Sequence, residues 1–178
     1  MKKKLIGVVG ETGAGKDTFC NIASENLSSV VCLRFSQALS DALGIFFDEI
    51  KKEDQQWMAS ILRDRFGEDI LMKGVAKKIE RAEEEVILVN GIRVKEEFQF
   101  IKNIGGDVVY ITADKKKRWE RIQERGEKKD DKSSYEDFLK IDMQRPEQQI
   151  KEIGAMADIK IENNGSLEEL KEKIKEIL

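Results

Sequence analysis

Histidine is absent from this 178-residue chain. That excludes histidine-based triads, histidine metal sites and imidazole acid–base chemistry. Only two cysteines occur, Cys20 and Cys32, with no C-x-x-C spacing and too few ligands for a structural zinc. Each sits in an apolar segment, so both are expected to be small buried hydrophobes. Proline occurs once, at Pro146, and no Gly/Ser-rich tract marks a linker. The length therefore reads as one domain, since a typical domain runs roughly 100–200 residues. No apolar run approaches the ~20 residues needed to span a membrane. Met1-Lys2-Lys3-Lys4 leads into a short strand and a glycine loop rather than an apolar signal core, so a cytoplasmic protein is expected. Charge of one sign is missing too: 32 basic residues nearly cancel 35 acidic ones, for a net charge of -3. That balance argues against a general nucleic-acid binder.

What is present is alternation. Leu5–Val9, Val30–Phe35, Val86–Val89, Val108–Thr112 and Asp158–Ile161 read as five strands. Their near-continuous hydrophobicity suits a parallel sheet covered on both faces. Between them the period lengthens to that of a helix. Leu39, Leu43, Phe46, Phe47 and Ile50 form one predicted stripe after Ser36; Trp57, Ile61, Leu62 and Phe66 form a second, and Ile70, Leu71, Val75 and Ile79 a third. Val94, Phe98 and Ile101 mark a helix after the third strand, and Trp119 and Ile122 another. Ser166-Leu167-Glu168-Glu169 opens the last helix as a capping box, with Leu167, Leu170, Ile174 and Ile177 expected inward. All these stripes are expected in the core. Strand and helix recurring through one domain predict an α/β fold with a five-stranded parallel sheet. The polar stretch from Arg125 to Ser134 contains no apolar residue and is expected to be an exposed excursion, with a lid as the sharper reading.

The strongest motif is Gly10-Glu11-Thr12-Gly13-Ala14-Gly15-Lys16-Asp17-Thr18. It fits G-x-x-x-x-G-K, follows a predicted strand and precedes a predicted helix, which is the context a phosphate loop requires. A phosphate needs backbone N–H groups wrapped closely around it, which glycines permit. The helix starting near Lys16 adds its positive end, and Lys16 reaches the β- and γ-phosphates as a point charge. The plainer alternative is a glycine-rich turn with an incidental lysine.

From these residues the chain resembles the P-loop kinases of small metabolites, the adenylate-kinase-like group. Within it the deoxynucleoside and nucleoside monophosphate kinases and the dephospho-CoA kinases are most similar. Gly15-Lys16-Asp17-Thr18 resembles the G-K-D-T form common among deoxynucleotide kinases, and Arg34 to Leu43 their segment after the second strand, without its usual proline and lysine. Asn90-Gly91-Ile92-Arg93 resembles the D-G-x-R segment, where the acid serves magnesium and the arginine holds the acceptor phosphate. Here the acid is replaced by Asn90, an amide that can accept a magnesium-bound water. The fork of Arg93 suits a phosphate monoester; an ion pair with Glu96 or Glu97 is the alternative. Arg118, Arg121 and Arg125 resemble lid arginines that fold over the transferring phosphoryl group, with Arg145 on the far side. Asn164, in Asn163-Asn164-Gly165, resembles the loop that packs against adenine.

The resemblance implies a three-layer α/β/α domain over residues 1–178, a helical acceptor-binding insertion over 36–84 carrying Arg63, Arg65, Asp69 and Lys73, and a lid over 125–145. It implies ATP and Mg2+, with Asp17 and Asn90 at the metal and a small-molecule acceptor. Asp17, where a hydroxyl is usual, either takes part of the metal role given up by Asn90 or caps the helix start. The expected activity is nucleoside or deoxynucleoside monophosphate kinase. Two alternatives stand beside it: a dephospho-CoA kinase, with Asp41 as substitute base, and a nucleotide-binding regulator or slow NTPase, favoured by Asn90.

Overall fold

The computed structural model describes residues 3–126 and 134–178. Among them the chain forms β1 (Lys4–Gly10), α1 (Lys16–Asn26), β2 (Val30–Arg34), α2 (Gln37–Leu43), α3 (Lys52–Phe66), α4 (Ile70–Arg81) and β3 (Val86–Ile92). These are followed by α5 (Lys95–Asn103), β4 (Asp107–Thr112), α6 (Lys115–Arg125), α7 (Tyr135–Asp142), α8 (Arg145–Gly154), β5 (Ile159–Glu162) and α9 (Leu167–Ile177). The five strands make one parallel sheet in the order β2-β3-β1-β4-β5. The predicted α/β class, strand number and parallel pairing hold. None of the helices described is long and apolar enough to cross a membrane.

Strand alternation divides the core between the two faces. Ile6, Val8, Val109 and Ile111 face Phe19 and Ile22 of α1 and Leu170 and Ile174 of α9. Val9, Val108 and Tyr110 face Phe98 and Ile101 of α5 and Ile150 and Ile153 of α8. Because both faces are covered, the strands need no polar side, which is why they read as apolar runs.

β1 lies at the centre, with β3 on one side and β4 on the other. Its carboxyl end is therefore a switch point, where open α/β sheets bind ligands. Beside it β3 runs three residues further than predicted. Val8 pairs with Asn90 and Val9 with Ile92, so Gly91, at φ 91°, is skipped. The glycine accommodates a bulge, and the strand continues through it to reach Ile92.

Several expectations of burial fail. The α2 helix stops at Leu43, where Gly44 N–H closes on Ser40 O, so Phe46 and Phe47 leave the predicted stripe and are exposed. On α3, Trp57, Ile61 and Phe66 are exposed and Ala59 is the buried residue, because its neighbours α2 and α4 meet it on the alanine side. Leu167, at the first turn of α9, is also exposed. Cys20 and Cys32 are not separate core thiols: they form a disulfide, with Cα atoms 6.0 Å apart. α1 packs against β2 and brings the two positions face to face, a contact that their spacing of 12 residues does not advertise. Of the expected lid, residues 127–133 lie outside the described residues; Ser134 caps α7 by accepting Asp137 N–H at 3.1 Å.

Candidate functional site

The loop from Glu11 to Gly15 joins the central strand to α1. Gly13 and Gly15 take φ of 80° and 108°, values that exclude most side chains. Space is as restrictive as conformation. A Cβ on Gly10 would lie 2.2 Å from Ile111 O, and one on Gly13 2.6 Å from Arg118 O. The loop is thus wrapped from outside by β4 and α6 as well as curled within.

Lys16 folds back over this loop. Its ammonium donates to Gly10 O at 2.7 Å and Glu11 O at 3.0 Å. Burial, and secondarily the charge of Arg93, pull its pKa down to about 8, against the opposing pull of Glu147, Asp17 and Glu11. Arg93 and Lys16 therefore share one electrostatic neighbourhood. Arg93 is exposed just past β3, and its backbone N–H donates to Glu97 Oε2 at 2.8 Å. Burial raises the pKa of Glu97, while the Arg93 and Val94 N–H groups and the charges of Arg93 and Arg63 oppose that rise. Arg63 of α3 pairs with Glu68 at 3.7 Å, and Lys73 of α4 pairs with Asp69, the residue before that helix, at 2.9 Å.

Asp17 stands exposed in the first turn of α1, with Thr18 half-buried beside it. Its carboxylate takes Arg34 Nη2 at 2.7 Å and Asn90 Nδ2 at 2.8 Å. It thereby ties together the ends of β2 and β3. Gly15 is the N-cap residue, without a side-chain cap bond, so Asp17 makes no capping hydrogen bond; it stands as the acid of the helix's first turn with its carboxylate turned to Arg34 and Asn90. Asn90 is buried, and its Oδ1 has no hydrogen-bond partner among the described residues. An orphaned carbonyl oxygen beside a carboxylate, at the carboxyl end of a central strand, suits a hard cation that prefers oxygen ligands. No cluster of three or more Asp, Glu or Cys of metal-binding geometry occurs among the described residues, so phosphates or waters would complete such a shell.

The arginines expected over the phosphates separate. Arg118 is buried beneath the loop, 1% exposed. It donates to Asp142 Oδ1 at 2.7 Å, Ala113 O at 3.0 Å and Thr12 O at 3.3 Å, with its guanidinium over the Phe138 ring. Its expected direct phosphate contact is corrected: the side chain braces the loop from outside. Burial pushes Asp142 upward, but the bonds and charges of Arg118 and Lys151 outweigh it and hold the carboxyl below its ordinary range. Arg121 donates to Asn163 O at 2.9 Å and keeps a buried Nη1 without a partner among the described residues. Arg125 ends α6 and Arg145 begins α8.

Asn164, expected beside adenine, bonds through its side chain to Asp114 N at 2.8 Å and Asp114 Oδ1 at 3.1 Å. Its neighbour Asn163 is the residue that reaches the loop, donating to Ala14 O at 2.9 Å. Glu11 points inward: its Oε1 accepts Tyr110 O–H at 2.7 Å and Thr112 O–H at 3.1 Å, while Oε2 is buried without a partner among the described residues. Burial, with the adjacent Glu11 carboxylate, raises the Tyr110 pKa despite the Thr112 hydrogen bond. Sequence reasoning missed Glu147 altogether. Its carboxylate, 7% exposed, accepts Thr12 Oγ1 at 2.9 Å and Thr12 N–H at 3.3 Å. The only local signal was an acid in the first turn of a helix, where acids are common.

Residues 6–147 match the family model described as AAA domain. A UPF0200 protein of Sulfurisphaera tokodaii is 30% identical over 98% of this chain and 96% of its own length. A UPF0200/UPF0201 protein of Archaeoglobus fulgidus is 34% identical over 100% of this chain and 56% of its own length. Among solved structures, a shikimate kinase from Bacteroides thetaiotaomicron superposes with a TM-score of 0.68 at 12% identity, covering 98% of this chain and 97% of that one. That likeness is one of fold.

Proposed function

This chain belongs to the AAA domain family and to the UPF0200 proteins, and from that premise we propose that it transfers a phosphoryl group from ATP to a small anionic acceptor. The acceptor favoured is a nucleoside or deoxynucleoside monophosphate. One observation carries the reading: beside the phosphate loop and its half-buried Lys16, Asp17 holds Arg34 at the end of β2, and the charge of Arg93, just past β3, reaches Lys16. Cations gathered beyond a phosphate loop suit an acceptor that brings negative charge of its own. In this reading Gly10 to Thr18 cradle the ATP phosphates, and Asp17 and Asn90 hold magnesium. Magnesium would supply charge neutralisation on the phosphates. Lys16 and Arg93 bind the donor and acceptor sides; Arg121 and Arg125 lie towards the nucleotide. Phosphoryl transfer needs positioning and electrostatics above all, so the lack of histidine is no obstacle.

A hydroxyl acceptor, as in dephospho-CoA kinase, is supported less well. Asp41 would have to serve as base, and it is engaged by Lys78 at 2.5 Å and Gln37 at 2.9 Å. Those bonds, that of Lys78 first, hold its pKa below the ordinary range and make it a weaker base. Asn90 favours a second reading, a regulator or slow NTPase, because an amide contributes no charge to a metal site.

The test is ADP release from magnesium ATP, measured alone and with a panel of ribo- and deoxynucleoside monophosphates, dephospho-CoA and shikimate. Stimulation by a monophosphate is expected. Release unaffected by every acceptor would support the regulator instead. Lys16→Met serves as control and should lose roughly 10²–10³ in rate, the usual effect of deleting one donor to a transferring group.

A further inference from the structure

Thr12, in the middle of the phosphate loop, is held on three sides by residues far away in sequence. Its N–H and hydroxyl both donate to Glu147, which lies 135 residues further along, and its carbonyl accepts from Arg118. These bonds fix the two peptide planes that flank it, since a peptide moves as a rigid unit. The plane between residues 11 and 12 is pinned at its N–H by Glu147. Its other end, Glu11 O, accepts both Lys16 Nζ at 3.0 Å and Ala14 N–H at 3.1 Å. The plane between residues 12 and 13 is pinned at its carbonyl by Arg118, and it carries the N–H of Gly13, where the chain turns to positive φ.

We propose that Glu147 is a positioning residue for nucleotide binding, fixing the tip of the phosphate loop through Thr12 and, through the same peptide plane, the carbonyl on which the Lys16 ammonium rests. The inference depends on the loop's being a nucleotide site, as proposed above. An acid near the start of α8 is favoured by the helix dipole alone, but that accounts neither for its near-complete burial nor for its two bonds to Thr12. Charge alone argues against a carboxylate here, because a bound phosphate would repel it. Its placement is explained by geometry: a carboxylate can accept the N–H and the O–H of one residue at once. The bracing is shared with neighbouring elements. Arg118 pairs with Asp142 at the end of α7, and the carbonyl of Asp142 accepts Gln148 Nε2 of α8 at 2.7 Å.

The experiment measures ATP affinity by calorimetry, together with thermal melting, for the wild type and for Glu147→Ala, Glu147→Gln, Thr12→Val and the double variant Glu147→Ala/Thr12→Val. Glu147→Ala is expected to weaken ATP binding by about tenfold, in line with the loss of hydrogen bonds to a charged group. Glu147→Gln, which keeps one acceptor oxygen, should fall between it and the wild type. The double variant should bind no worse than the weaker single variant, as residues acting as one unit do. Should Glu147→Ala fail to fold, Glu147→Gln and Thr12→Val carry the comparison. Lower melting temperatures with unchanged ATP affinity would reduce Glu147 to a structural contact and overturn the proposal. Tighter binding in Glu147→Ala would overturn it in the other direction, by showing that the carboxylate opposes the phosphates. A wild type that does not bind ATP sinks the nucleotide reading and this inference together; a wild type that binds, beside variants that match it, sinks the inference alone.

Discussion

Lys16 links the loop's shape to its chemistry. Its pKa of about 8 means that the ammonium form, which a phosphate needs, is lost as pH rises through that value. ATP affinity, titrated on either side of pH 8, should therefore fall on the alkaline side. Stability runs the opposite way. Burying the charged form costs free energy, so between about 8 and the ordinary 10.5 the unfolded chain holds the extra proton and folding gains. Arg93 is tested by replacement with lysine, which keeps the charge and loses the planar fork. If it clamps an acceptor phosphate, Arg93→Lys should raise the acceptor KM well above any change in ATP affinity; equal changes would place it outside the acceptor site. Asp17 and Asn90, 2.8 Å apart, invite a paired test. Asp17→Ser should raise the magnesium concentration needed for half-maximal turnover, and Asn90→Asp added to it should restore much of the loss. An unchanged magnesium midpoint in folded Asp17→Ser would remove Asp17 from the metal site.

At the scale of elements, α6, α7 and α8 meet in a buried ion pair. Asp142 has 0% side-chain exposure and Arg118 2%, at 2.7 Å from each other. Removing one partner of such a pair leaves an uncompensated charge, at a cost of roughly 3–5 kcal/mol. Asp142→Asn should show that loss in the denaturant midpoint, and should weaken ATP binding too, because Arg118 holds Thr12. This pair also shows where sequence reading stops. Arg118 carries the same helical spacing as Arg121 and Arg125, and spacing cannot tell a side chain turned under a loop from one turned over it. The strands were legible because burial on both faces writes itself as continuous hydrophobicity. The phosphate loop was legible because its glycines and lysine must be adjacent in the chain to curl around one anion. Glu147 was not, because its partner Thr12 is close only after folding. Trp57 and Phe66 misled for the converse reason: a helical stripe records which residues could be buried together, and α3 meets its neighbours through Ala59 instead.

For the molecule as a whole, the Cys20–Cys32 disulfide cross-links α1 to β2 side by side, in addition to the short main-chain connection between them. It lies three residues beyond Asp17 and two before Arg34, on the same seam as their ion pair. Closing so short a loop stabilises by roughly 3 kcal/mol in the chain-entropy picture. Reductant should therefore lower the melting temperature of the wild type, and leave Cys32→Ser, which starts lower, unmoved. A wild type indifferent to reductant would show that the bond contributes nothing to stability.

The central position of β1 has a consequence of direction. Arg34, Asn90 and Arg93 lie on the β2–β3 side of it; Asn163, Arg121 and the α6 arm lie on the β4–β5 side. On the proposed reading, donor and acceptor come from opposite edges of the sheet and meet over the end of one strand. The line of transfer then runs along the width of the sheet, across the strands. Spacing between neighbouring strands is about 4.8 Å, so β3 and β4 stand roughly 10 Å apart across β1. A molecule imitating both substrates at once would be long and narrow, negatively charged towards the β2–β3 edge, and laid across the strand ends like a bar over parallel rails.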